Sequence, residues 1–376
     1  MQNNIQNRVS CLPLLKREER AIFELRSLYN RFGYRQYKMG KFEEYDLYVR
    51  NKDFLVSDGI ITFTDTNGRL MALKPDVTLS IIKNTTDVPG TVHKVCYNEN
   101  VYRISGSTRN FKEIMQTGLE CIGDIDLYNM CEVVMLAAES LKTVSEDYIL
   151  DISHLGIISA ITRDLGLDEA ESDELIRCLG EKNADGAEKL VGDRNTEAVK
   201  RLVNTYGTPA KVIETLRPVL TGKALEALNE LEKVVNILET NGYTDRIRLD
   251  FSILNDMNYY NGVVFRGYIN GIPSGILSGG QYDRLMKKMG RKSGAIGFAL
   301  YLDLLERLPG EKSGYDADTL VLYDTNCDTQ KLTLAIRELT DSGISVVAQK
   351  SIPEHLRFRR ILRFTEGRLE TVENDD

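Results

Sequence analysis

From about Ile158 to Asn241 the sequence carries charged amphipathic helices and no strand pattern, while the chain on both sides is written largely in strands. Breaks at Gly166, Gly180, Gly207-Thr-Pro209 and Gly222 punctuate the helical stretch, as glycines and prolines that stop helices do. The strands before and after it therefore read as parts of one core, with the helices as an insert. Hairpins mixed with helices, and no strand–helix–strand repeat, predict an α+β fold built on an antiparallel sheet flanked by helices.

Before the insert, Glu18 to Phe32 has apolar residues at helical spacing and Gly33 as its stop. Gly59 to Thr64 and Arg69 to Leu73 read as strands joined by the turn Asp65-Thr-Asn-Gly68. Thr91 to Tyr102 and Glu113 to Ile122 are predicted as two more strands, and Leu127 to Lys142 as a helix. After the insert, Arg246 to Ile253 and Gly262 to Tyr268 read as strands, Ser278 to Asp283 as a glycine-rich turn, and Ala295 to Leu308 as an apolar helix. Past Pro309-Gly310 come a strand (319–323), a helix (329–339), a strand (345–349) and an alternating run from His355 to Phe364. That run sets Leu356, Phe358, Leu362 and Phe364 against Arg357, Arg359 and Arg363, as a charged edge strand would. The acidic tail Glu373 to Asp376 reads as frayed. The expected domains are a core from 1–157 and 243–312, the insert 158–242, and a short C-terminal α/β segment 313–376.

Composition narrows the function. Six cysteines lie scattered with no C-x-x-C pair, and the three histidines are far apart, so neither a zinc site nor a disulfide framework is expected. Idle thiols suit a reducing cytosol. The net charge of −8 lowers the expectation of nucleic-acid binding, which draws on basic surface. No stretch reaches the roughly 20 apolar residues of a membrane helix.

Three segments carry a more specific pattern: Leu73-Lys-Pro-Asp-Val-Thr78; Val101-Tyr-Arg103 with Phe111 to Glu120; and Asn255-Asp-Met-Asn-Tyr-Tyr260 with Gly279-Gly-Gln-Tyr-Asp283. Taken singly, Asp76 after Pro75 also suits a helix cap, Gln116 and Glu120 a solvated strand face, and Tyr260 and Tyr282 an aromatic core. In this order, across residues 10 to 310, the segments resemble the catalytic core of class II aminoacyl-tRNA synthetases of the histidyl type. The resemblance implies a histidine pocket in which Asp76 faces the α-ammonium with Thr78 beside it. Gln116 and Glu120 match the second motif, and Tyr260 and Tyr282 match the tyrosines that enclose the imidazole. The chemistry agrees, because carboxylates accept from an ammonium and a ring N–H while an amide serves both signs.

The adenylation machinery departs from that family. Making an adenylate needs cations on the triphosphate, and losing one preorganised donor costs about 10²–10³ in rate. Arg103 keeps the motif 2 position. The arginine expected at the start of the third segment is Asn255, and the motif 3 arginine falls at Leu304, with Tyr301 for a glycine. Ser105 stands for a glutamate and Gly40 for the motif 1 proline. With Asn255 in place of a cation, Arg103 or Lys74 would meet the ligand's carboxylate. The stretch after Pro309 is also shorter than an anticodon-binding domain.

This profile resembles the regulatory subunits of short-form ATP phosphoribosyltransferase, which are similar to the synthetase core. The resemblance implies a cytoplasmic, non-catalytic, self-dimerising protein without a cofactor. It would join a separate catalytic subunit in a hetero-octamer and bring feedback by histidine in the first step of histidine biosynthesis. An active, divergent histidyl-tRNA synthetase and a synthetase-like RNA- or protein-binding module remain the alternatives.

Overall fold

The structure is a computed structural model that describes residues 15–52, 55, 59–105, 108–192, 194, 196–254, 259–308 and 315–374. The chain divides into two compact units, Lys16–Leu308 and a second that takes in everything from Pro309 onward.

In the first unit, helix α1 (Arg17–Arg31) precedes strands β1 (Arg35–Gln36) and β2 (Phe42–Glu44), helix α2 (Tyr45–Val49) and the hairpin β3 (Thr62–Thr64) and β4 (Leu70–Leu73). Helix α3 (Thr78–Asn84), the long strands β5 (Val92–Ile104) and β6 (Phe111–Gly123), helix α4 (Leu127–Val144) and strand β7 (Tyr148–His154) follow. The helical block is α5 (Leu155–Asp164), α6 (Glu169–Gly180), α7 (Ala184–Val191), α8 (Thr196–Asn204), the two-residue strand β8 (Tyr206–Gly207), α9 (Pro209–Leu216) and α10 (Gly222–Thr240). Strands β9 (Ile247–Asp250), β10 (Val263–Ile269) and β11 (Leu277–Gln281), helix α11 (Asp283–Lys288) and strand β12 (Gly294–Tyr301) complete the unit, with a 3-10 turn over Leu302–Arg307.

Local chemistry explains several boundaries. Gly33, at φ +83°, takes the left-handed turn that ends α1. In the β3–β4 turn, Asp65 Oδ1 accepts from the backbone N–H groups of Asn67 and Arg69, both at 2.8 Å. Asp126 caps α4 by accepting from Asn129 N at 3.0 Å.

Nine strands form one sheet in the order β1-β5-β6-β12-β11-β10-β7-β9-β8. The pairs β1–β5 and β7–β9 are parallel and the others antiparallel, so the sheet is mixed. One face, with Leu119, Cys121, Phe265, Phe298 and Leu300, is buried with Leu25 and Leu28 of α1 and Val133, Val134 and Leu136 of α4. The Tyr29 ring meets Phe298 edge-on at 6.1 Å. The other face, carrying Tyr97, Glu120 and Gly297, holds the cavity described below. The long helix α10 packs against α5, α4 and β7, and Leu228, Leu231 and Val235 belong to the same hydrophobic core as the sheet.

The segment 295–308 is strand β12 and a 3-10 turn, not the helix its apolar run predicts. Both faces of β12 are buried, so its residues are apolar without alternation, and such a run does not declare its period. The expected turn at Ser278 to Asp283 is largely strand β11. Its glycines mark close approach: a Cβ on Gly279 would stand 2.6 Å from the Phe265 ring.

The second unit is a four-stranded sheet, β14 (Val346–Gln349), β13 (Ala317–Leu322), β15 (Phe358–Thr365) and β16 (Arg368–Asn374) in that order, with helix α12 (Thr329–Asp341). Strand β15 lies between β13 and β16, so the arginine-bearing run is interior and does not guard an edge. A bulge between Ile361 and Leu362 breaks the alternation and buries both. Glu373 and Asn374 pair with Ile361 and Arg360, so the acidic tail is strand as far as Asn374.

Candidate functional site

Sheet register decides which side chains share the cavity. Along one row, Val264 of β10, Gly280 of β11, Gly297 of β12 and Glu120 of β6 stand opposite one another. The next row runs Arg266, Ser278, Ala299, Gly118 and Tyr97. Residues paired directly across strands point to the same face, so these rows form one floor. Gly280 and Gly297 leave it open: a Cβ on Gly297 would collide with the Glu120 carboxylate, and one on Gly280 would stand 2.9 Å from the Tyr260 ring.

Over that floor lies a cavity of about 290 Å³. Asp76, Thr78, Arg103, Gln116, Glu120, Tyr260 and Tyr282 all line it, so the structure gathers the seven candidates from five separate stretches of the chain. Thr78 opens α3, whose Leu79, Ile81 and Ile82 anchor it in a second core cluster with Tyr97, Tyr259 and Tyr282. Asp76 serves that helix as well as the cavity, because its Oδ1 accepts from Leu79 N at 2.8 Å. Gln116 and Glu120 are 3% and 2% exposed, so they do not belong to a solvated face.

Glu120 is the centre of a hydrogen-bonded set. Its Oε1 accepts from the Thr78 hydroxyl at 2.7 Å and its Oε2 from the Tyr282 hydroxyl at 2.6 Å. Burial pushes its carboxyl up to about 8; those two hydrogen bonds pull it back, and the nearby Asp76 charge raises it further. Burial also raises Asp76, opposed by the Leu79 N–H and the Arg103 charge. The Tyr282 hydroxyl is held well above its ordinary range, first by burial and then by the Glu120 charge. Two buried carboxyls in one cavity, both raised by desolvation, are poised to ionise when a cationic ligand enters.

Other members were not picked out by the motifs. Tyr259 meets Tyr260 at 4.6 Å and Tyr282 at 5.7 Å between ring centroids, completing an aromatic wall. Tyr97 and Arg266 also line the cavity, together with Tyr301, the residue that stands for the motif 3 glycine. The adjacent Tyr259-Tyr260 pair was a readable hint; Arg266 needed the register, which sequence alone does not give. Lys74 is not on the cavity: it is fully buried and its Nζ pairs with Glu99 Oε2 at 2.8 Å. Leu304 packs against the hydrophobic core from the 3-10 turn. Asn255 lies outside the described residues. None of the described helices is long and apolar enough to cross a membrane, and no cluster of metal-ligating side chains occurs among the described residues.

The histidyl-tRNA synthetase family matches residues 12–305 of the chain. Relatives named ATP phosphoribosyltransferase regulatory subunit include one from Oceanobacillus iheyensis, 26% identical over 358 residues, which cover 92% of this chain and 88% of the relative. Another, from Clostridium kluyveri, is 30% identical over 335 residues, or 85% of this chain and 86% of the relative. A solved structure described as an ATP phosphoribosyltransferase regulatory subunit/histidyl-tRNA synthetase from Bacillus halodurans C matches with a TM-score of 0.75. It is 26% identical, over 92% of this chain and 93% of that one. The family match, the mixed sheet with its helices and the length of chain shared with these relatives agree, and the chain belongs to the histidyl-tRNA synthetase family and, within it, to the ATP phosphoribosyltransferase regulatory subunits.

Proposed function

We propose that this chain is the regulatory subunit of a short-form ATP phosphoribosyltransferase, without catalysis of its own, and that its cavity binds histidine as the feedback effector. The observation that carries the ligand is Glu120, buried and held by Thr78 and Tyr282 beside Asp76 on the floor of one cavity. Histidine offers that site an ammonium and a ring N–H, the groups that two buried carboxyls and an amide accept. An apolar side chain of similar size would leave them unpaired, which is how such a site rejects it.

Loss of catalysis is supported by the residues around the cavity. Tyr301 occupies space on its wall, and Leu304, at the expected arginine position, packs into the core. Regulation would work by linkage: histidine shifts the assembly toward the conformation it binds more tightly, by at most the difference in its affinities. The reading includes a dimer of this chain in a cytoplasmic hetero-octamer with the catalytic subunit. It includes a core of 1–157 and 243–312, an insert of 158–242 and a C-terminal segment of 313–376.

Calorimetric titration of the purified chain with histidine and, separately, with ATP tests the proposal. Saturable histidine binding, no ATP binding and no histidine-dependent pyrophosphate exchange are expected. Pyrophosphate exchange would instead make the chain an active synthetase and overturn the non-catalytic reading.

A further inference from the structure

We infer that Arg266, rather than Arg103 or Lys74, is the cation that takes the carboxylate of the amino acid in this cavity. The inference rests on the histidine reading above and adds how the site recognises the end of the ligand that Glu120 cannot.

A zwitterion brings a carboxylate as well as an ammonium, and a buried carboxylate needs a charged or multiply hydrogen-bonded partner. Two cationic side chains line the cavity among the described residues, Arg103 and Arg266. Lys74 is sealed against Glu99. Arg103 has its Nε on the carbonyl of Pro75 at 3.0 Å, and its charge stands close enough to Asp76 to oppose the rise of that carboxyl. Its charge is thus already partly answered from within the protein.

Arg266 differs on each count. Its strand, β10, lies three places across the sheet from β6, in the row next to that of Glu120. Between the two strands the floor is Gly280 and Gly297. A ligand resting on those glycines has one end toward Glu120 and the other toward Arg266. Gly275 gives the arginine its room, since a Cβ there would stand 2.7 Å from Arg266 Cδ. Its polar neighbour is the neutral Tyr268 hydroxyl, which steadies a guanidinium without cancelling its charge. The acid across the strand pair, Asp151, is pushed up by burial and by the like charge of Asp250, and the cations that oppose this are Arg248 and Lys182. A planar guanidinium is also the side chain best shaped for two parallel hydrogen bonds to a carboxylate.

The test compares L-histidine with histamine, which keeps the ring and the amine and lacks the carboxylate. The full chain is titrated calorimetrically with both, as wild type, Arg266→Met and Arg103→Met. Wild type is expected to prefer histidine. Arg266→Met is expected to weaken histidine by about ten- to a hundredfold, the range for one charged hydrogen-bonding partner, and to leave histamine binding unchanged. Unchanged histamine binding also shows that the variant is folded. Equal loss of both ligands in Arg266→Met, or loss of the preference in Arg103→Met and not in Arg266→Met, overturns the assignment. A wild-type chain that binds neither ligand instead overturns the histidine reading of the cavity itself, and histamine bound as tightly as histidine overturns the carboxylate contact alone.

Discussion

Glu120 carries a pH dependence that can be read in two ways. Its folded value of about 8 lies above the ordinary 4.5, so across that interval the folded chain holds a proton the unfolded chain has released. The stabilising contribution is fully present below about pH 4.5 and is lost as pH rises through about 8. Glu120→Gln, neutral at every pH, is expected to flatten the fall in thermal midpoint over that interval; an unchanged slope would show that another group is responsible. The same proton matters for the ligand, because a carboxyl that accepts from an ammonium or a ring N–H does so best when ionised. Histidine binding at neutral pH is therefore expected to release protons, measured as a heat that changes with the ionisation enthalpy of the buffer. A buffer-independent heat would mean that Glu120 stays neutral in the complex. Tyr282→Phe removes the 2.6 Å hydrogen bond to Oε2, leaves a buried acceptor one donor short, and is expected to cost about 1–3 kcal/mol of stability by chemical denaturation.

At the scale of the element, the site depends on strands that approach too closely for side chains. Gly297→Ala would drive a methyl group into Glu120 and the backbone carbonyl of Leu119. We expect it to abolish histidine binding and to destabilise the chain by about 1–3 kcal/mol, as overpacking does; a variant that binds normally would show that the floor can yield. This is also where sequence reading ran out. The β3–β4 hairpin, β5, β6 and the helices α1 and α4 were legible because a turn signal, an alternation or a helical period is written locally. Strands β11 and β12 were not. Their glycines are there for the neighbouring strand and for Glu120, and their apolar residues face buried surfaces on both sides, so neither strand shows its own period. Asp76, Thr78, Gln116, Glu120, Tyr260 and Tyr282 could be named from motifs, but their meeting, and the presence of Arg266 and Tyr259 among them, follow from register between strands distant in sequence.

At the scale of the molecule, every described residue that lines the cavity lies in one unit, Lys16–Leu308. The described lining runs from Asp76 to Tyr301, and among the described residues the hydrophobic clusters that hold α3, the sheet and the helical block together contain none beyond Leu308. The C-terminal sheet has its own clusters, with Leu320 and Ile361 in one and Val321, Leu332 and Phe364 in the other. Domains with separate cores can in principle fold alone. A fragment ending at Leu308 is therefore expected to unfold cooperatively and to bind histidine within about threefold of the full chain, a difference of roughly 0.7 kcal/mol. If the fragment folds but loses the ligand, the C-terminal unit takes part in recognition. If it binds histidine as expected, sensing and any role of the C-terminal unit are separable. Communication with a catalytic subunit must then start from the unit that holds the cavity, the sheet and helices of Lys16–Leu308.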